Sequence, residues 1–234
     1  MRPFAAMRFK RPPAAAGGDP NFASRTVLLP LNGNATPVKG SAWSNTGSAP
    51  TWTSSNPPFA GLQSLELLGT TNSLVSATSQ AILGSGDFGV ELLFRLTSTS
   101  NSFRTLLTNY DADGLFSWGL WTNDAGQLYY YGDGAGLELF GGVDCRDSSW
   151  RIAQLVRQSG RLAIRIGKLG DGGNTTEVAF VTSNTTNFNS TKAMRLGLEG
   201  SYLGAPFFGQ FAQLRISVGV APSFAIPTAP WPTS

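Results

Sequence analysis

The run Asn109-Tyr110-Asp111-Ala112-Asp113-Gly114 sets side-chain oxygens at alternate positions and a glycine at the sixth. An EF-type calcium loop opens this way and closes with a bidentate Glu at position 12. Here that position is Leu120, and strand-like segments flank the run. It reads first as a polar hairpin turn. Asn109, Asp111 and Asp113 are the ligands a weak Ca2+ site would use if other loops completed it. No other cofactor is expected. The chain has no histidine, which removes the commonest general base and the commonest metal ligand. Cys145 is the single cysteine, so no internal disulfide can form. It reads as a small buried hydrophobe rather than a nucleophile, in a chain compatible with a reducing compartment.

Aromatic side chains are the second source of chemistry. Trp43, Trp52 and Trp121 fall in or near expected loops, and Tyr129-Tyr130-Tyr131 precedes Gly132. On a strand Tyr130 faces away from its two neighbours. Trp43, Trp52, Trp121 and Tyr130 are candidates for stacking on a sugar ring or for anchoring a protein interface. Residue type alone does not separate those roles.

The third source is the N-terminus. Arg2, Arg8, Lys10 and Arg11 are basic, with no acid before Asp19, and Phe4, Met7 and Phe9 are interleaved with them. Without those four cations the chain carries 13 basic and 14 acidic side chains, so the net charge of +3 belongs to the arm. Seven residues of this arm (Arg2, Phe4, Met7, Arg8, Phe9, Lys10 and Arg11) read as anchors that bury themselves on a partner. A nucleic-acid binder spreads its cations over a face, so that partner is not expected. No run is apolar for long enough to span a membrane, and Arg8, Lys10 and Arg11 interrupt the core a signal peptide needs. Neither membrane nor export is expected.

The elements that must position these residues read as strands. Only 13% of the 234 residues are charged, and Gly, Ser, Thr and Asn are abundant. Trp150 to Gly167 is the clearest element. Leu162, Ile164 and Ile166 alternate with Arg161, Ala163 and Arg165, and Gln158-Ser159-Gly160 supplies the turn. Arg151, Arg161 and Arg165 are expected on the hairpin's outer face, as a solvated surface or an electrostatic docking patch. Val90 to Leu96 reads as a central strand, apolar on both faces apart from Glu91 and Arg95. Thr26–Leu31, 103–109, 115–121, 128–131, 137–140, 177–181, 194–199 and 207–217 complete a set of short strands separated by turns. Ser64 to Leu68 and Leu74 to Ala77 read as one further hairpin, and the segment holding Trp43 and Trp52 as a long polar loop. The pattern is an all-β, two-sheet antiparallel sandwich or jelly roll. Residues 1–20 form the docking arm, 21–221 one sandwich domain, and 222–234 an extended proline-rich tail.

Four segments carry a resemblance. They are Asp19 to Leu31 (DPNFASRTVLLPL), Ser64 to Leu96, the Trp-led hairpin from Trp150, and Phe208 to Pro232 with its LRIS-x-GVA stretch. In this order they resemble the concanavalin A-like, laminin-G-like jelly rolls of many bacteriophage virion proteins. The resemblance implies two face-to-face antiparallel sheets whose edge loops bind glycans or partners. Two departures, no aspartate after Leu65-Glu66-Leu67-Leu68 and Arg151-Ile152 where relatives place two histidines, imply a scaffold that has shed ligand-binding features. Enzymes on this fold use paired carboxylates on one strand, and no Glu-x-Asp-x-x-Glu pattern occurs. The expectation is therefore a non-enzymatic structural protein of a bacteriophage particle. It would be made in the host bacterial cytoplasm and displayed on the virion surface as a capsid-decoration or tail-associated protein. Its arm would dock on capsid or tail subunits, with the chain oligomeric in the assembly. The alternative is a lectin-like adhesin for host cell-surface glycan.

Overall fold

A computed structural model describes residues 22–69, 72–77, 82–109, 118–132, 136–190, 192–199 and 205–233. The basic arm lies outside them. Among the described residues there is one 3-10 turn and no α-helix. The strands are β1 (Arg25–Leu29), β2 (Trp43–Thr46), β3 (Thr51–Thr53), β4 (Ser64–Leu68), β5 (Ser73–Ser76), β6 (Ile82–Gly84), β7 (Phe88–Leu96), β8 (Arg104–Thr108) and β9 (Trp118–Thr122). They continue as β10 (Leu128–Gly132), β11 (Leu137–Gly141), β12 (Arg151–Gln158), β13 (Arg161–Lys168), β14 (Thr176–Val181), β15 (Phe188–Asn189), β16 (Arg195–Leu196) and β17 (Phe208–Val218).

Two antiparallel sheets face each other. Sheet A runs β14-β13-β12-β7-β17-β4-β3, with β1 also paired to β17. Sheet B runs β11-β10-β9-β8-β16-β5-β2, and β15 with β6 forms a small third sheet. Alternation decides what each strand contributes. Val90, Leu92, Phe94, Leu155, Ile164, Leu214 and Ile216 of sheet A enter the same core as Leu107, Trp118, Leu120, Leu128, Tyr130 and Leu196 of sheet B. Cys145 is fully buried there, and burial pushes its thiol up to about 12.

The hairpin β12–β13 is as read, with Gln158 opposite Arg161 and both Ser159 and Gly160 at positive φ. Three expectations fail. β4 and β5 are not a hairpin: β4 pairs with β3 and β17 in sheet A, β5 with β2 and β16 in sheet B. The chain crosses between sheets where a turn was expected, because each strand finds its partner far away in sequence. The polar loop contains β2 and β3, four and three residues long, too short for alternation to show. Arg151 does not share a face with Arg161 and Arg165. It is buried at the sandwich end, where its Nη2 donates to Asp147 at 3.0 Å. Nor are the other two free: Arg161 and Arg165 both pair with Glu177, and Arg165 lies 4.0 Å from the centroid of the Phe224 ring.

The tail is a strap across the outer face of sheet A. Thr175 N donates to Phe224 O at 2.7 Å and Ile226 N to Gly173 O at 2.9 Å, and Trp231 N reaches Gln213 Oε1 at 3.1 Å. It crosses β7 at Gly89, where a Cβ would stand 2.4 Å from Pro222 Cδ. Ile226 and Trp231 join Leu93, Ile152 and Ala212 in a second apolar cluster beneath it. Glu91 is fully buried on this face. Arg215 donates to it from Nε and Nη2, the latter at 2.7 Å, and Gln154 Nε2 at 3.0 Å. Arg25 Nη1 lies 3.8 Å away, and Trp231 stacks over the Arg215 guanidinium at 4.1 Å.

Candidate functional site

Among the described residues, no strap of this kind crosses β9, β10 and β11 of sheet B. Leu120, Leu128, Tyr130 and Leu139 point into the core, so parity sends Trp121, Tyr129, Tyr131 and Phe140 outward. Register then aligns them: Thr105 is opposite Trp121, Trp121 opposite Tyr129, and Tyr129 opposite Phe140. The result is a row of three aromatic side chains running across the strands. Tyr129 is its centre, 6.0 Å from Trp121 and 6.5 Å from Phe140 between ring centroids, with Phe103 edge-on at 5.3 Å.

A glycine makes the floor flat. The Trp121 indole lies over Gly119, two residues back on the same face, where a Cβ would sit 2.2 Å from Cη2. The indole lies flat on the sheet and is buried, 5% exposed, while Phe140 is 57% exposed. Phe103, Trp121, Tyr129, Tyr131, Glu199 and Ala205 line a groove of about 290 Å³ over this floor. Ala205 is tied to it because its carbonyl accepts from Thr105 N at 2.8 Å.

The groove is weakly acidic. Burial raises the Glu199 carboxyl above its ordinary value, and a hydrogen bond with Trp121 opposes that rise. Burial and then the Glu138 carboxylate push the Tyr129 phenol up to about 12, so it stays a neutral donor at physiological pH. A carboxyl whose pKa is higher folded than unfolded costs stability when ionised in both states. The cost is full at neutral pH and fades as pH falls through the folded value towards the ordinary 4.5. Glu199→Gln is expected to raise Tm at pH 7, with the gain closing below pH ~4.5. A thermal-melt series from pH 7 to pH 4 checks this; a gain that persists unchanged in acid would refute it.

Of the sequence candidates, Trp121 lies in the groove. Tyr130 does not: it is fully buried, so its candidacy for glycan or interface contact is withdrawn. Its parity was legible, since Leu128 shares its face. Trp43 is also a core residue, 7% exposed, and Trp52 is half-buried against the core edge. Neither lines the groove. Asn109 is buried, and its Oδ1 accepts from Trp118 N at 2.7 Å. Asp111 and Asp113 lie outside the described residues, and among those described no group of three or more His, Cys, Asp or Glu is placed to hold a metal. Arg2, Phe4, Met7, Arg8, Phe9, Lys10 and Arg11 also lie outside them. Phe103, Phe140 and Glu199 were missed, and Tyr130 was chosen over Tyr129 and Tyr131 within the triplet, because what unites the groove is cross-strand register.

Several solved structures share this architecture. Domain 4 of AbnA, an extracellular arabinanase from Geobacillus stearothermophilus solved in complex with arabinotriose, matches with a TM-score of 0.55 at 14% identity, over 88% of this chain and 95% of that domain. The binding domain of botulinum neurotoxin serotype D matches at 0.58 and 11%, over 84% of this chain and 48% of that one. Tailspike protein 2 of Escherichia coli bacteriophage CAB120 matches at 0.58 and 14%, over 74% and 25%. The chain thus spans nearly all of the first, about half of the second and a quarter of the third. At these identities the likeness establishes the all-β jelly-roll fold. No family model matches the chain, and no curated protein matches it in sequence.

Proposed function

We propose that this chain is a non-catalytic glycan-binding β-sandwich that takes a sugar chain on the open face of sheet B. The observation that carries this is the Trp121–Tyr129–Phe140 row. The outer face of sheet A is covered over Glu91 by the strap, whereas on sheet B Phe140 is 57% exposed and Tyr129 half-buried beside it. Exposed aromatic surface of this kind marks a place where a ligand is expected to cover it. Ring faces take the apolar faces of sugar rings, while Glu199 and the Tyr129 and Tyr131 hydroxyls supply the few polar groups that orient a ligand. Glu199 is the single carboxylate lining the groove among the described residues, and two-carboxylate hydrolysis needs a pair. That supports binding over cleavage. The arabinotriose in the arabinanase domain accords with it.

Glycan-array screening of the whole chain, followed by titration of the best ligand, tests the proposal. Tyr129→Ala is expected to weaken that ligand at least about tenfold, as loss of a central aromatic anchor does. No binding across the array, or equal affinity in the variant, rejects it.

A second reading is favoured by the composition of the arm: a virion surface protein anchored by residues 1–20. Glycan binding and virion display are compatible in one protein. Deleting residues 1–18 is expected to abolish incorporation into a phage particle while circular dichroism and melting of the body stay unchanged. Normal incorporation of the truncated chain would remove this reading.

A further inference from the structure

We propose a second ligand site, for an acidic saccharide, at the end of the outer face of sheet A where the strap stops short of the rim. The uncovered corner is a cleft of about 610 Å³. Its floor follows from parity. Leu93 and Ile152 belong to the outer apolar cluster, so Arg95, two residues beyond, and Trp150, two residues before, face the same way. Leu169 N donates to Trp150 O at 2.9 Å, which continues the row. The walls are the loop Asn56–Phe59 on one side and Ile226 to Thr228 of the strap on the other.

Arg95 gives the cleft its chemistry. Its Nε donates to Ser148 O at 2.7 Å and its Nη1 to Gln210 Oε1 at 3.1 Å. Two bonds fix the guanidinium plane, and both acceptors are neutral. Arg161, Arg165 and Arg215 on the same face each have a carboxylate partner; among the described residues Arg95 has none, and its Nη2 has no acceptor. The charge is thus held in place without a direct ion pair, the nearest link to a carboxylate running through Gln210 to Glu66. Lys168 lines the cleft too, paired 3.5 Å from Asp147 in an exposed, readily screened contact. Beside Arg95 the Trp150 ring is locked by its Nε1, which donates to Asn56 O at 2.6 Å.

A positioned guanidinium next to a fixed aromatic ring matches a sugar ring bearing a carboxylate or sulfate. The ring stacks, and the guanidinium donates to the anion. The sheet B groove differs in character, since Glu199 is the one carboxyl and no cation stands among its described lining residues. This inference does not rest on the aromatic-groove reading, and either can fail alone.

Isothermal titration of the whole chain with trigalacturonic acid, a sulfated chondroitin disaccharide and neutral maltotriose tests it. At least one acidic probe is expected to bind, more weakly as salt rises. Arg95→Gln is expected to weaken that probe about tenfold or more, Lys168→Gln several-fold, and Tyr129→Ala on the opposite sheet not at all. Should Arg95→Gln fail to fold by circular dichroism, Lys168→Gln carries the test. The proposal is overturned if no acidic probe binds at millimolar concentration, if Arg95→Gln weakens maltotriose as much as the acidic probe, if the folded cation variants bind the acidic probe undiminished, or if Tyr129→Ala removes that binding.

Discussion

Arg215→Leu is expected to destabilise the protein by about 3 kcal/mol, read from urea unfolding at neutral pH. Glu91 is fully buried between β12 and β17, with Arg215 as its two-point partner. Removing one member of a buried ion pair costs about 3–5 kcal/mol, because the other charge is left in a poor solvent without compensation. The lower end applies here. Arg25 Nη1 lies 3.8 Å from the same carboxylate, and Gln154 Nε2 still donates to it. A loss below about 1 kcal/mol would mean that Arg25 alone neutralises Glu91. The network would then be redundant rather than centred on Arg215.

Trp231→Ala should come close to it, with a loss of about 3 kcal/mol. Trp231 is 6% exposed although it stands near the chain end, and it covers the guanidinium that Glu91 depends on. Its removal takes apolar area from the cluster under the strap and lets water reach the ion pair. Few backbone hydrogen bonds hold the strap to the sheet, so it should open locally before the body unfolds. Faster hydrogen exchange at Thr175 N and Ile226 N, whose bonds tie strap to sheet, is the specific sign. The two substitutions should also be non-additive. They share a contact, and a double-mutant cycle should show a coupling of about 0.5–3 kcal/mol. Additive losses, with exchange at Thr175 and Ile226 unchanged, would show that the strap merely rests on the face.

Both variants act on a segment whose role composition hid. Pro222 to Ser234 reads as an extended tail because proline locks φ and removes donors. That reading concerns local conformation and is silent about destination. What holds the strap is a pair of backbone bonds to Gly173 and Thr175, the space over Gly89, and a tryptophan landing on Arg215. Glu91 is the same case from the other side. In sequence it is a lone acid in the apolar strand Phe88–Leu96. Its three donor nitrogens come from β12 and β17 and its second cation, Arg25, from β1, and no spacing rule connects those strands.

The candidate site divides in the same way. Tyr129-Tyr130-Tyr131 announces a strand with aromatics on both faces, and Leu128 already assigns Tyr130 to the inside. The sequence does not tell that Trp121, Tyr129 and Phe140 form one row, since that is a property of register across three strands. Register is set by packing of the buried parity set, Leu120 against Tyr130 and Tyr130 against Leu139.

By itself, then, the sequence determined the all-β class, the β12–β13 hairpin with its Ser159-Gly160 turn, the buried thiol of Cys145 and the parity of the long strands. These are local consequences of side-chain alternation and turn chemistry, decided within a few residues. Only the tertiary structure decided that β4 and β5 part to opposite sheets, that the tail seals one face over Glu91, and that the aromatic row lies open on the other. Those outcomes depend on which distant strands pair, and pairing is chosen by the burial of the whole core rather than by any one segment.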